Sequence, residues 1–244
     1  MGAKVINGEV IFDLSSKEMV DISISNNPIV QSPFNEDVVC IFRRLRSRDS
    51  IIDGNPVIYA LKGLGGYHIN LQNLLKFMPF FYSIAQTAAL AASADYVIPI
   101  PSSSRLTAMV SRRVARVLQV PCNEKILAKK LHRHVCPEID LILRTSGIPK
   151  SDASGLKKIR HELGRSLSTN FSLKSVDVKL RKYFIPFKVS RPEEVLCGSS
   201  VLLVDDLLST GTSLQSARDL LLAHGASDVR YLCLLSSTGP YRRL

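Results

Sequence analysis

A chain of 244 residues with 45% hydrophobic and 22% charged residues reads as one large or two small globular domains, not as a disordered or low-complexity chain. Its 32 Lys and Arg against 21 Asp and Glu leave a formal charge of +11, which favours anionic partners: nucleic acid, phosphorylated small molecules or acidic lipid. The five cysteines, at 40, 122, 136, 197 and 233, contain no Cys-x-x-Cys pair, which argues against a disulfide framework or compact zinc knuckle and fits a reducing cytoplasm.

The N-terminal run MGAKVINGEVIFDL lacks the apolar core of a signal peptide. Residues 4–12 and 56–61 are rich in Val and Ile and predict short strands. The mixed segment between them carries the basic cluster Arg43-Arg44-Leu45-Arg46-Ser47-Arg48. After the glycine-rich turn KGLGGYHIN, the spacing predicts a helix over 71–93, with Leu71, Leu74, Leu75, Met78 and Tyr82 on one face and a kink or restart at Pro79. The apolar stretch 77–94 fits a helix buried against a sheet better than a membrane span.

Residues 95–101, DYVIPIP, predict a strand that stops at proline. Serines then cap a helix whose apolar stripe is 106, 109, 110, 114, 117 and 118, with Arg105, Arg112 and Arg116 on another face. Arg112 and Arg113 read as solvent-exposed more readily than as ligands. Residues 119–190 predict a basic, mobile excursion with one helix near 154–166 and a strand within 182–189. The run His132-Arg133-His134-Val135-Cys136 has no second ligand pair, and Lys129, Lys130 and Arg133 would repel a cation, so it does not read as a metal site. The unbroken apolar run 201–204, a helical pattern over 212–224 and the run 229–235 form a βαβ unit of a parallel sheet.

The chemistry concentrates in VLLVDDLLSTGTS, residues 201–213. In a parallel α/β sheet, ligands bind beyond the carboxyl ends of the strands, where Asp205 and Asp206 are expected. The hydroxyl-rich turn Leu208, Ser209, Thr210, Gly211, Thr212 and Ser213 opens a helix, whose first amides and dipole attract an anion. Paired carboxylates accept from hydroxyls, and the turn holds a phosphate, so one ligand with both groups, a ribose 5-phosphate, satisfies the whole stretch. Strand ending and helix capping alone would not require both acidic residues. A receiver domain also opens on VLLVDD, but it needs many more residues than the 38 that follow Asp206.

This stretch resembles the phosphoribosyl pyrophosphate (PRPP) motif of type I phosphoribosyltransferases. The order Ala60-Leu61-Lys62-Gly63, then Asp95-Tyr96-Val97-Ile98-Pro99-Ile100-Pro101, resembles the ComF-like branch of that family, covering roughly residues 55–118 and 195–236. The resemblance implies an α/β fold: a twisted, mostly parallel sheet flanked by helices. It implies an N-terminal hood or accessory segment (1–54) and a transferase-like domain (55–244) with a flexible basic excursion (137–190). It implies that Asp205 and Asp206 bind the ribose hydroxyls, residues 208–213 bind the 5-phosphate, and Lys62, Pro101, Ser102, Ser103, Ser104 and Arg105 bind pyrophosphate. Asp205, Asp206 and Arg105 would carry catalysis, and Asp205 and Asp206 would hold Mg²⁺, mainly through PRPP. Lys157, Lys158, Arg160 and Arg165 are candidates for a lid.

The partners implied are PRPP and a small-molecule acceptor, a second copy in a homodimer, and nucleic acid at the basic surface, with no membrane. The competing expectation is a non-catalytic PRPP sensor or a nucleic-acid-associated regulator. Two departures bear on the acceptor. Only Cys40 precedes residue 100, so the ComF-like cysteine cluster is missing, and the family's Gln and Arg-x-x-Asn signals are not evident in 137–175; in addition, Ser209 stands where 6-oxopurine enzymes carry Asp.

Overall fold

A computed structural model describes residues 1–13, 15–16, 18–45, 55–145, 147–190 and 196–244, with only the backbone of Lys174. Arg46, Ser47 and Arg48 of the basic cluster lie outside the described residues. The chain opens with a hairpin, β1 (Gly2–Ile6) and β2 (Glu9–Asp13), where a single strand was expected. The turn between them is Asn7-Gly8, both at positive φ (50° and 80°), the conformation that matches strand twist in a two-residue hairpin. The short strands β3 (Val20–Asp21) and β4 (Ile29–Gln31) then lead into β5 (Val38–Arg44).

The segment 56–61 is helix α1 (Pro56–Lys62), not a strand. End signals outweighed β-branched composition there: the Asn55 side chain accepts from the Val57 amide at 2.8 Å, Pro56 takes the first turn, and Gly63 closes the helix. Helix α2 (Leu71–Ala91) runs unbroken through Pro79. That proline is exposed, so its ring is not packed into the core. The buried face of α2 is Phe77, Phe81, Ile84, Ala85, Ala88 and Ala89, while Leu71 and Leu75 are 69% and 60% exposed. The helix is apolar on more than one side, so periodicity alone picked the outer face. Its length and composition would allow it to cross a membrane, but in this fold its aromatic and alanine row lies on the sheet.

Then follow β6 (Tyr96–Pro99), α3 (Leu106–Leu118), β7 (Leu127–Lys129), α4 (His132–Arg144), α5 (Lys150–Gly164) and β8 (Phe187–Val189). The chain closes with β9 (Ser200–Leu207), α6 (Thr212–Ala223), β10 (Asp228–Leu235) and β11 (Arg242–Arg243). The main sheet has the order β11-β4-β5-β10-β9-β6, with β3 on β5. The pairs β5–β10, β10–β9 and β9–β6 are parallel, and the pairs β4–β5, β11–β4 and β3–β5 are antiparallel. The expected mostly parallel α/β sheet flanked by helices is therefore present. Val201 and Leu203 of β9 face the α6 side, and Leu202 and Val204 face α1, α2 and α3, so this strand is buried on both faces.

Within residues 119–190, expected as a basic excursion around one helix, two helices pack together. Val135, Cys136 and Ile139 of α4 meet Leu156 and Leu163 of α5, with Phe171, Leu180 and Phe184 completing a third core. The His132–Cys136 run is the first turn of α4. Pro137 inside α4 disguised that helix in the sequence. The strand expected in 182–189 shrinks to Phe187–Val189, which pairs with β7 as the base of this module.

At the amino ends of β6 and β9, Asp95 accepts from the Ser200 amide (2.8 Å) and hydroxyl (2.7 Å). The amide bond first, then the hydroxyl bond, holds the Asp95 carboxyl below the usual carboxylate value near 3.9. A depressed folded-state value means the stabilisation exists above that unfolded value and disappears as pH falls through the folded one. Asp95→Asn is therefore expected to lower the melting temperature at pH 7 and to match the parent more closely at pH 3. An equal deficit at both pH values would remove the ionised carboxylate as its source.

Candidate functional site

Strand β9 ends inside the stretch that the sequence singled out. Asp205 is half-buried and its Oδ1 accepts from the Asp206 amide at 2.8 Å. Asp206 points to the opposite face, as strand alternation requires. There its Oδ2 lies 2.7 Å from Lys62 Nζ, with the two side chains 8% and 12% exposed. Thr107 Oγ1 donates to the same oxygen at 2.9 Å. Lys62, expected near pyrophosphate, is therefore the counter-ion of a buried carboxylate, brought by the last turn of α1.

Sequence reasoning did not find Thr107. Its signal was visible: Thr107 and Ser111 stand four apart within the apolar side of α3, and both are buried. The buried face of α3 is Leu106, Thr107, Val110, Ser111, Val114 and Ala115, rotated from the expected stripe so that Met109 is 62% exposed.

Beyond β9 the chain turns over Leu208–Gly211. Leu208 is buried, Ser209 and Thr210 are exposed, and the Thr210 and Thr212 hydroxyls share a hydrogen bond of 2.9 Å. Gly211, at φ +77°, is the N-cap of α6. A Cβ there would sit 2.4 Å from Phe34 Cε1, so the turn is pressed against a ring contributed by the loop before β5. Ser213 and Thr212 complete the first turn of α6, whose amides and dipole favour an anion. Phe34 is a second residue the sequence did not reveal; only the β4–β5 connection places it here.

The 101–105 loop reaches the same edge, because β6 pairs in parallel with β9 and Pro99 aligns with Val204. Ile100 extends that ladder by donating to the Val204 carbonyl at 2.8 Å. Beyond Pro101, the Ser104 amide donates to Ser102 Oγ at 3.2 Å and Leu106 donates to Ser104 Oγ at 3.1 Å, making a tight hydroxyl-rich turn. Ser102, Ser103 and Arg105 are exposed. Arg112, also exposed, pairs with Glu124, while the half-buried Arg113 places its guanidinium 4.4 Å from the centre of the Tyr82 ring. Of the lid candidates, Arg160 bonds Asp140 at 3.0 Å, and Lys157, Lys158 and Arg165 are exposed on or next to α5. Among the described residues, no group of three or more His, Cys, Asp or Glu side chains is assembled to hold a metal ion.

The family model described as "Phosphoribosyl transferase domain" matches residues 74–243. A uracil phosphoribosyltransferase of Corynebacterium urealyticum is 42% identical over 53 residues, which is 22% of this chain and 24% of that protein. The chain thus aligns with about a quarter of that curated relative's length. Among solved structures, the adenine phosphoribosyltransferase of Leishmania tarentolae is 14% identical with a TM-score of 0.33, over 97% of this chain and 95% of that one. The glutamine phosphoribosylpyrophosphate amidotransferase of B. subtilis is 20% identical with a TM-score of 0.34, over 61% of this chain and 24% of that one.

Proposed function

Because the chain belongs to the phosphoribosyl transferase domain family, we propose that it binds PRPP at the carboxyl end of β9 and transfers the 5-phosphoribosyl group to a small-molecule acceptor. One observation supports this most: a half-buried carboxylate, a second one fixed by Lys62 and Thr107, and a hydroxyl-lined turn into α6 all lie at one strand end. Within the family we place the protein beside the ComF-like branch, on its Ala60–Gly63 and Asp95–Pro101 segments.

In this reading, residues 208–213 hold the 5-phosphate through backbone amides and hydroxyls. Asp205 and Asp206 accept from the ribose hydroxyls, and Lys62 and Thr107 hold the Asp206 carboxylate in place. The bond from C1 of the ribose to pyrophosphate breaks as the acceptor's lone pair bonds to C1. Positive charge grows on the sugar in the transition state, and the two carboxylates stabilise it. Negative charge grows on the leaving pyrophosphate, where the amides of Ser102 and Ser103, the Ser104 hydroxyl and the guanidinium of Arg105 receive it. Mg²⁺, a hard cation that takes oxygen donors, fits this donor set: Asp205 would help hold it together with the phosphates of PRPP. When bound it neutralises charge on the diphosphate.

Calorimetric titration with PRPP, with and without Mg²⁺, tests this reading. We expect Mg²⁺-dependent binding by the parent protein and at least tenfold weaker binding by Asp205→Asn. Pyrophosphate release in a screen of nucleobases and amines would then identify the acceptor. Binding without release for any acceptor would make the protein a PRPP sensor. A parent protein that does not bind PRPP would sink both versions.

A further inference from the structure

The charge of this protein is not spread evenly. Residues 127–189, from β7 to β8, contain 14 Lys and Arg against 5 Asp and Glu, or +9 of the total +11. By difference, the rest of the chain carries only +2. Most of the excess sits on the helical module with its own core, outside the main sheet.

Within the module the cations are ordered. Successive helical residues turn by about 100°, so Lys150, Lys157, Lys158 and Arg165 fall within about 100° of arc on α5. All four are exposed, and they lie across the helix from the buried Leu156 and Leu163. The stripe extends about 22 Å from Lys150 to Arg165, comparable with six base-pair steps at about 3.4 Å each. His161 lies on the same stripe and its ring bonds Arg165 at 3.2 Å.

The module's acidic groups are mostly engaged elsewhere. Asp140 pairs with Arg160, Glu138 with Lys130, and Asp152 with Lys182 and Tyr183. Glu162 sits about a quarter-turn off the stripe.

We propose that this face of α5 binds the phosphate backbone of double-stranded nucleic acid. A straight rail of cations at helical spacing suits a rigid, regularly charged partner. A membrane surface fits less well, because the apolar side of α5 is committed to the module's core and cannot enter lipid. A single strand also fits less well. Phe171, Phe184 and Phe187 are buried and Tyr183 is held by Asp152, so these rings offer no stacking platform.

The test is fluorescence anisotropy with a labelled 20-base-pair duplex, the matching single strand, and vesicles containing 30% anionic lipid, over a range of salt. The inference does not depend on PRPP, and the titration needs none, so its failure and that of the transferase reading are separable. Four phosphate contacts predict a slope of log affinity against log salt of about −3.6. Lys157→Gln/Lys158→Gln should weaken duplex binding at least tenfold at low salt and reduce the slope by about 2, with an unchanged melting temperature. Lys76→Gln/Arg116→Gln removes the same charge from exposed positions elsewhere and should bind like the parent. An equal loss in that control, a slope near zero, or tighter binding to the single strand or the vesicles would each overturn the proposal.

Discussion

Lys62→Met is expected to destabilise the protein by about 3–5 kcal/mol, because it strands a buried carboxylate without its counter-ion. The Lys62 and Asp206 side chains are 12% and 8% exposed and lie 2.7 Å apart, so little solvent is available to replace the ammonium. Thr107 remains as one neutral donor, which softens the loss without cancelling it. Adding Asp206→Asn to Lys62→Met removes the stranded charge and should restore much of the stability while leaving PRPP binding weak. Urea unfolding of the parent and the two variants reads both effects. If Lys62→Met unfolds at the same urea concentration as the parent, the ion pair does not hold this edge of the sheet together.

Gly211→Ala is expected to lower PRPP affinity at least tenfold and to cost about 2 kcal/mol of stability. Part of that is backbone strain, since a residue with a Cβ resists the left-handed region by roughly 1–2 kcal/mol. The rest is steric: the new Cβ would lie 2.4 Å from Phe34 Cε1. The Phe34 ring is itself set edge-on against Tyr231, 5.3 Å between centroids, so it cannot simply swing aside. Adding Phe34→Ala to Gly211→Ala should recover the steric part and leave the backbone part. Calorimetry with PRPP and denaturant unfolding separate the two. Unchanged PRPP affinity in Gly211→Ala would show that this turn is not the phosphate cradle.

Much of the site was legible because its signals are local. Val201–Val204 reads as a doubly buried strand since four apolar residues in a row suit no half-exposed element, and the sheet encloses it on both faces. The acidic pair at its end and the glycine before α6 lie within a few residues of each other, so the strand, turn and helix place them without long-range information. The errors also have local causes. Asn55 and Pro56 turned a β-branched run into a helix, and Pro137 hid one. Leu71 and Leu75 were grouped on one face with Leu74, Met78 and Tyr82, whereas the packed face is the Phe77, Phe81, Ile84 and alanine row, because α2 is apolar on more than one side.

The sequence by itself determined the α/β class, the carboxylate pair, the hydroxyl-rich turn and the charge of the middle segment. Each depends on composition or on residues adjacent in the chain. Tertiary structure alone decided that Lys62, 144 positions before Asp206, neutralises it, that Thr107 joins them, and that Phe34 presses on Gly211. It also arranged the cations near α5 on the side opposite a buried core. The physical reason is that a counter-ion or a packed ring is chosen by where separate elements cross on the sheet, and strand order and helix packing carry that information, not spacing along the chain.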